Sequence, residues 1–343
     1  MSQSIQSQPQ LSESDNEFIT IPGTSLKVSR VALGTWAMGG WMWGGTDERQ
    51  SVATIRAALD QGINLIDTAP VYGFGVSEDI VGRALTGLRS RAVIATKVGL
   101  EWRGDVAYRN ATRTRIMTEI HDSLRRLRTD YIDIYQVHWP DPLVPMEETA
   151  DAMRQLYEQG KIRAIGVSNF SVGQMRAFRA AAPLHVLQAP YNLFERGIED
   201  EILPYCLAND IVTLGYGALC RGLLSGRMRP SSTFEGDDLR GIDPKFQPPR
   251  YAQYLNAVDQ LDQLARRRFQ RQVIQLAVRW MLDKGISVAL WGGRRPDQLH
   301  AALGVTGWSL DGATRADIDR ILKSAITDPV GPEFMAPAAR SAS

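Results

Sequence analysis

Asn64-Leu-Ile-Asp-Thr-Ala-Pro-Val-Tyr-Gly73 is a short apolar run that breaks off in a carboxylate and then, within one turn, presents a phenol. Ile63 to Ile66 has the length and composition of a buried strand, and Pro70 and Gly73 bound the turn that follows it. Taken alone, Asp67 reads as a helix cap and Tyr72 as a packing residue. The neighbouring sequence decides otherwise, because the same strand-then-helix unit recurs on both sides.

Upstream, Phe18 to Val28 alternates around Pro22-Gly23 and reads as a β-hairpin. Val31-Ala-Leu33 is a strand that runs into Gly34-Thr35-Trp36, and Asp47 to Gln61 is a helix with Thr46 or Asp47 as its cap. Downstream, the helix Ser77–Leu88 is followed by the strand Ala92–Lys97 and a helix from about Thr112 to Arg128. The rhythm continues with strand Tyr131–His138 and helix Glu147–Gln159, then strand Ile162–Val167 and a helix starting near Ser171. Strand Val186–Gln188 and helix Glu199–Asn209 follow, then strand Ile211–Tyr216. Strand Ser287–Trp291 closes the series, with a helix opening at Pro296. Eight short apolar strands alternating with helices predict parallel pairing with both faces covered, hence an α/β fold of the (β/α)8 barrel type. A doubly wound open sheet is the alternative, but it needs a glycine-rich dinucleotide fingerprint after an early strand, and there is none.

Two segments depart from the rhythm. Arg221 to Arg250, after strand seven, is a long insertion rich in Gly, Pro and charge, and helices near Tyr251–Arg267 and Gln272–Lys284 follow it in place of one. Beyond the eighth unit, Thr314 to Ile326 is amphipathic, and the Pro-rich Pro329–Pro337 tail is placed to lie back over the barrel.

The chain has 343 residues, 44% hydrophobic and 22% charged, a globular composition. Its 39 Lys and Arg against 38 Asp and Glu leave no net field to recruit nucleic acid or an anionic membrane. No apolar run approaches the roughly 18 residues of a membrane span, and the N-terminus lacks the pattern of a signal peptide. Cys206 and Cys220 lie in apolar surroundings without metal-ligand spacing, which fits packing roles in a reducing, cytoplasmic compartment. Residues 1–16 are Ser/Gln-rich and polar, the composition of a disordered tail, which leaves 17–343 as one domain.

In such a barrel the chemistry collects at the carboxyl ends of the strands. Those positions hold Gly34-Thr35, Asp67 with Tyr72, Lys97, His138, Ser168-Asn169, Gln188, Tyr216 and Gly292-Gly293-Arg294-Arg295. A lysine inside Val93-Ile-Ala-Thr-Lys-Val98 has no structural reason to be there.

These residues carry a family resemblance. Asn64–Gly73, Ala95-Thr-Lys97, Gln136-Val-His138 and Lys161-Ile-Arg-Ala-Ile-Gly-Val-Ser-Asn-Phe170 resemble the signatures of the aldo-keto reductases, in order, over roughly residues 17 to 337. Leu33–Trp36, Trp43–Asp47 and Gly331–Pro337 look most like the bacterial general-stress and inositol-operon-associated members. The resemblance implies a catalytic tetrad of Asp67, Tyr72, Lys97 and His138. Tyr72 would donate a proton to the alkoxide formed by hydride attack, Lys97 would supply the cation that helps it, Asp67 would orient Lys97, and His138 would polarise the carbonyl.

The resemblance also implies NADPH/NADP+ as cofactor. Gly34, Thr35 and Trp36 would lie beside the nicotinamide ribose, Ser168, Asn169 and Gln188 would bond the carboxamide, and Tyr216 would stack on the ring. Gly217, Ala218 and Leu219 stand where relatives carry Ser-Pro-Leu, so backbone amides would meet the pyrophosphate there, with Arg221 and Arg227 as candidate counter-charges. Arg294 and Arg295 would meet the 2′-phosphate, which favours NADPH over NADH, and Gly292, Gly293 and Gln298 are further candidate cofactor contacts. Ala301-Ala302 replaces the Glu-Asn pair common in the family. Trp36, Trp41, Trp43, Trp102, Trp139 and Phe194 are candidates for an aromatic substrate pocket.

The expected activity is reduction of a small-molecule aldehyde or ketone by a monomer or weak homo-oligomer. The alternatives are a mainly oxidative sugar or polyol dehydrogenase, and a redox-sensing regulatory subunit resembling the potassium-channel β subunits.

Overall fold

The computed structural model describes residues 17–340, so the tail expected at 1–16 lies outside the described residues. The chain enters through a hairpin, β1 (Phe18–Thr20) and β2 (Lys27–Ser29), and then builds its strands in order. These are β3 (Val31–Gly34), β4 (Leu65–Asp67), β5 (Val93–Val98), β6 (Leu100–Arg103), β7 (Val106–Arg109), β8 (Ile132–Val137) and β9 (Ile162–Ser168). They continue with β10 (Val186–Pro190), β11 (Val212–Tyr216), β12 (Val288–Gly292) and a last two-residue strand, β13 (Ala338–Ala339). Eight of them close into a barrel in the order β3-β4-β5-β8-β9-β10-β11-β12, and β12 returns to β3. Every neighbouring pair is parallel. The helices between them include Glu48–Asp60, capped by the Asp47 carboxylate on the Gln50 N–H, and Val172–Arg179, which opens with a Ser171/Gln174 capping box.

Strand parity decides what faces inward. Ala32, Leu65, Ala95, Ile134, Ala164, Val186, Leu214 and Leu290 fill the barrel, and Ile21, Leu26 and Val28 of the hairpin join the same apolar cluster. Leu33, Ile66, Ile94, Tyr135, Ile165, Leu187 and Trp291 face the other way, into the helix layer. Because side chains alternate with period two, the inward parity continues one layer higher into Asp67, Lys97, Gln136, Ser168, Gln188 and Tyr216. The polar site is thus the top layer of the barrel core.

Three features differ from the reading of the sequence. The helix expected to open at Pro296 is two short 3-10 turns, Pro296–Leu299 and Ala302–Val305, cut off before the left-handed Gly307. The 221–250 insertion is not structureless, since it winds through 3-10 turns at Cys220–Ser225, Leu239–Gly241 and Pro244–Phe246. The segment after β5 is an antiparallel hairpin, β6 with β7, and β13 of the tail adds to it as a third strand. This pairing draws the tail across the barrel mouth, as its composition suggests. No helix among the described residues is long and apolar enough to cross a membrane.

The turn carrying Tyr72 is held by a close backbone approach. Gly73 has φ +66°, and a Cβ there would overlap the carbonyl oxygen of Gly39. A Cβ on Gly39 would in turn come within 2.5 Å of the Tyr72 carbonyl. Gly73→Ala is therefore expected to cost about 2 kcal/mol or more. It would lower Tm by several degrees in a thermal melt while shifting Tyr72; an unchanged Tm would show that the turn can relax.

Candidate active site

Lys97 is the centre of the site. Its ammonium is fully buried and donates to Asp67 Oδ1 at 2.7 Å, to the Thr68 carbonyl at 2.9 Å and to the Tyr72 hydroxyl at 3.2 Å. The other Asp67 oxygen accepts from Gln188 Nε2 at 2.8 Å and Gln136 Nε2 at 3.3 Å, and the two amides also bond each other. Register makes this possible, since Lys97 stands opposite Gln136 and Gln188 opposite Ser168. Gly166 supplies the room, as a Cβ there would lie 2.7 Å from Gln136 Cγ. Gln136 stands in the signature Gln136-Val-His138 but was given no role from sequence. Its signal was its inward parity.

The phenol of Tyr72 lies between aromatic faces. Trp36 stacks on it with centroids 5.8 Å apart, and His138 meets it edge-on at 5.9 Å. The four residues Asp67, Tyr72, Lys97 and His138 therefore converge, as the family signatures imply. Burial, and secondarily the charge of Asp67, hold the Tyr72 hydroxyl well above its ordinary pKa. Burial outweighs the help expected from the Lys97 cation. Burial also lowers Lys97, against Asp67, which holds it charged. Burial and the nearby Lys97 charge keep His138 a neutral imidazole.

Two cavities meet at this centre. One, of about 570 Å³, runs from Tyr72 and Gln188 past the β11 and β12 ends. Gly34, Trp36, Asp67, Gln188, Tyr216, Gly217, Ala218, Leu219, Arg221, Gly292, Gly293, Arg294, Arg295 and Gln298 all border it. The other, of about 330 Å³, opens over Tyr72 and His138 among Trp36, Trp41 and Trp139, with Ser168 and Asn169 in its wall. Trp36, Tyr72, Gln188, Tyr216 and Met335 line both.

Several candidates have narrower roles than their position suggests. Thr35 is buried outside both cavities, with its hydroxyl on the Asp67 carbonyl and Ser77. Asn169 bonds the His138 carbonyl and receives the Tyr216 hydroxyl. Arg221 is not a free counter-charge. Its guanidinium is buried on Glu195 and Asp243, and Lys245 joins the same cluster. Arg227 is exposed and borders neither cavity. Arg294 donates to the carbonyls of Trp43 and Gly45, whereas Arg295 is exposed and paired with Asp297. Gln298 accepts from both of their backbone N–H groups.

The larger cavity also has walls that no motif announced, among them Gln50, Ser51 and Arg240, and it takes in Trp43, which the substrate cavity was expected to hold. Of the aromatic residues expected in a substrate pocket, Trp102 packs on Phe74, and Phe194 is buried against Tyr254, so neither borders either of these cavities. Cys206 and Cys220 are buried free thiols, each pushed up to about 12 by burial, which suits packing.

Removing one member of a buried ion pair leaves the other charge without a partner. Lys97→Met is expected to destabilise the protein by about 3–5 kcal/mol in chemical denaturation, and the double change with Asp67→Asn to regain part of that loss. Additive losses would mean that the pair does not act as a unit.

Known proteins share this sequence and arrangement. The Aldo/keto reductase family profile matches residues 30–323. The chain is 60% identical over 327 residues to aldo-keto reductase YhdN of Bacillus subtilis, covering 94% of this chain and 99% of that protein. Among solved structures, a glycerol dehydrogenase from Gluconobacter oxydans superposes with TM-score 0.85 at 53% identity, covering 93% of this chain and 99% of that one. An aldo/keto reductase from Klebsiella pneumoniae in complex with NADP and acetate superposes with TM-score 0.67 at 30% identity, covering 87% and 93%. The chain belongs to the aldo/keto reductase family.

Proposed function

We propose that the protein reduces aldehydes or ketones to alcohols with NADPH, with Tyr72 as the proton donor. The observation that carries this reading is the position of the Tyr72 hydroxyl, bonded to Lys97 at the point where the two cavities meet. The larger cavity has features that fit a phosphate-bearing dinucleotide. Arg294 and Arg295 stand at one end, and the buried indole N–H groups of Trp36 and Trp43 have no acceptor among the described residues. The Klebsiella relative, solved with NADP, supports the same choice.

When bound, NADPH supplies a hydride to the carbonyl carbon. The protein's part is to place the carbonyl oxygen between Tyr72 and His138. A neutral His138 retains one ring N–H to donate to that oxygen and stabilise charge as it develops. Tyr72 then delivers its proton, and Lys97, held by Asp67, stabilises the phenolate left behind. Tyr216, whose hydroxyl is held by Asn169, offers a ring face to the nicotinamide.

Oxidation of a polyol, the activity named for the Gluconobacter relative, would need an ionised Tyr72. Burial opposes that at neutral pH, so the resting protein holds Tyr72 in the protonated form that reduction uses. The sign is testable. With its pKa raised, Tyr72 keeps its proton to higher pH, so the reductive rate should stay level through about pH 7–9, while any oxidative rate should climb with pH. Tyr72→Phe should lower reduction by about 100-fold or more with little change in NADPH affinity. Comparable activity in that variant would remove Tyr72 from the acid role. Arg294→Ala should raise the Kd for NADPH about tenfold or more and that for NADH much less. Equal losses would mean that Arg294 serves only its carbonyl partners on the 43–45 loop.

A further inference from the structure

The 330 Å³ cavity has an aromatic wall of Trp36, Trp41, Trp139 and Phe334, and of its lining side chains only Asp105 is charged, given a neutral His138. Asp105 sits at the tip of the β6–β7 hairpin, exposed, with no hydrogen-bond or ion-pair partner among the described residues. Beside it, Val106 also lines the cavity and is 62% exposed, an apolar surface left open at the rim. Arg109, a cation beside this wall, is already engaged, since it packs on the Trp139 ring and donates to the carbonyls of Pro337 and Pro140. The hairpin is tied to the tail, where β13 pairs with β7 at Tyr108 and Arg109.

Aromatic faces and an unpaired carboxylate are the two elements that recognise an organic cation, and both repel a carboxylate. We infer that Asp105 sets the charge preference of the site, so that it takes carbonyl compounds whose distal end carries an amine or quaternary ammonium and discriminates against oxo acids. This rests on the reading that the cavity receives the carbonyl to be reduced. The carbonyl enters toward Tyr72 and His138, and the distal group stays at the rim, half in water.

The test uses three benzaldehydes bearing, through a para methylene, a trimethylammonium, a tert-butyl or a carboxylate group. Each is reduced with NADPH, and kcat/KM of the charged pair is normalised to the neutral compound. In the wild type the cation-to-anion ratio should be about five- to tenfold, and it should shrink as salt is raised, because Asp105 is exposed. Asp105→Asn should bring the ratio toward one, and Asp105→Lys should invert it. Turnover of all three compounds with a ratio near one, or a ratio unmoved by both substitutions, would overturn the charge preference and leave the reductase reading standing. No turnover of any of the three would remove the reductase reading and this inference with it.

Discussion

A lysine and an aspartate shut away from water, 2.7 Å apart, set the terms for everything around them. Attraction alone rarely offsets the desolvation of two ions, so a buried pair persists only where other groups solvate it. Here Gln136, Gln188 and the Thr68 carbonyl do so. Each solvating group then imposes a condition of its own. Gln136 requires the bare Cα of Gly166, Gln188 requires the β9–β10 register, and Thr68 requires the turn that also presents Tyr72. A barrel whose lower layers are apolar thus ends in a layer where the buried charges of Lys97 and Asp67 are met by named partners.

Two further buried ionic groups hold the surroundings of that layer. Glu78 accepts from Thr96 and Arg126, and Arg126 reaches on to Glu119, tying two helices to the strand that bears Lys97. Arg221, Glu195, Asp243 and Lys245 form the second, with Lys245 donating to the Gly331 carbonyl. That cluster joins the insertion, the loop after β10 and the tail. It explains how a stretch rich in Gly and Pro keeps one shape beside the cavities. The 237–240 turn adds an outer clasp, where Asp237 accepts the N–H groups of Met42 and Gly44.

The strands were legible because their signal is local, and the convergence of Asp67, Tyr72, Lys97 and His138 because family signatures mark those positions. A run such as Asn64–Gly73 shows its period, its breakers and its reactive groups within ten residues. The β6–β7 hairpin had a local signal too, two apolar-alternating runs around Gly104-Asp105, but a search for strand–helix units passes over it. Arg221 was read as a counter-charge for a different reason. Its partners Glu195 and Asp243 lie more than twenty residues away on either side, and spacing along the chain says nothing about such a meeting. The same holds for Arg294, whose acceptors are carbonyls about 250 residues earlier and invisible in any side-chain pattern.

The hairpin that begins the described chain has an effect at the opposite end of the barrel. Ile21, Leu26 and Val28 join the interior cluster and stopper the floor, beneath layers of apolar side chains. On the proposed reading, a Tyr72 that has given up its proton has apolar side chains below it and the open cavities above, so it recovers the proton from the mouth. Resupply therefore waits until the product alcohol has left and water has reached Tyr72 or His138. The stopper at the floor makes the resetting of the acid part of product release.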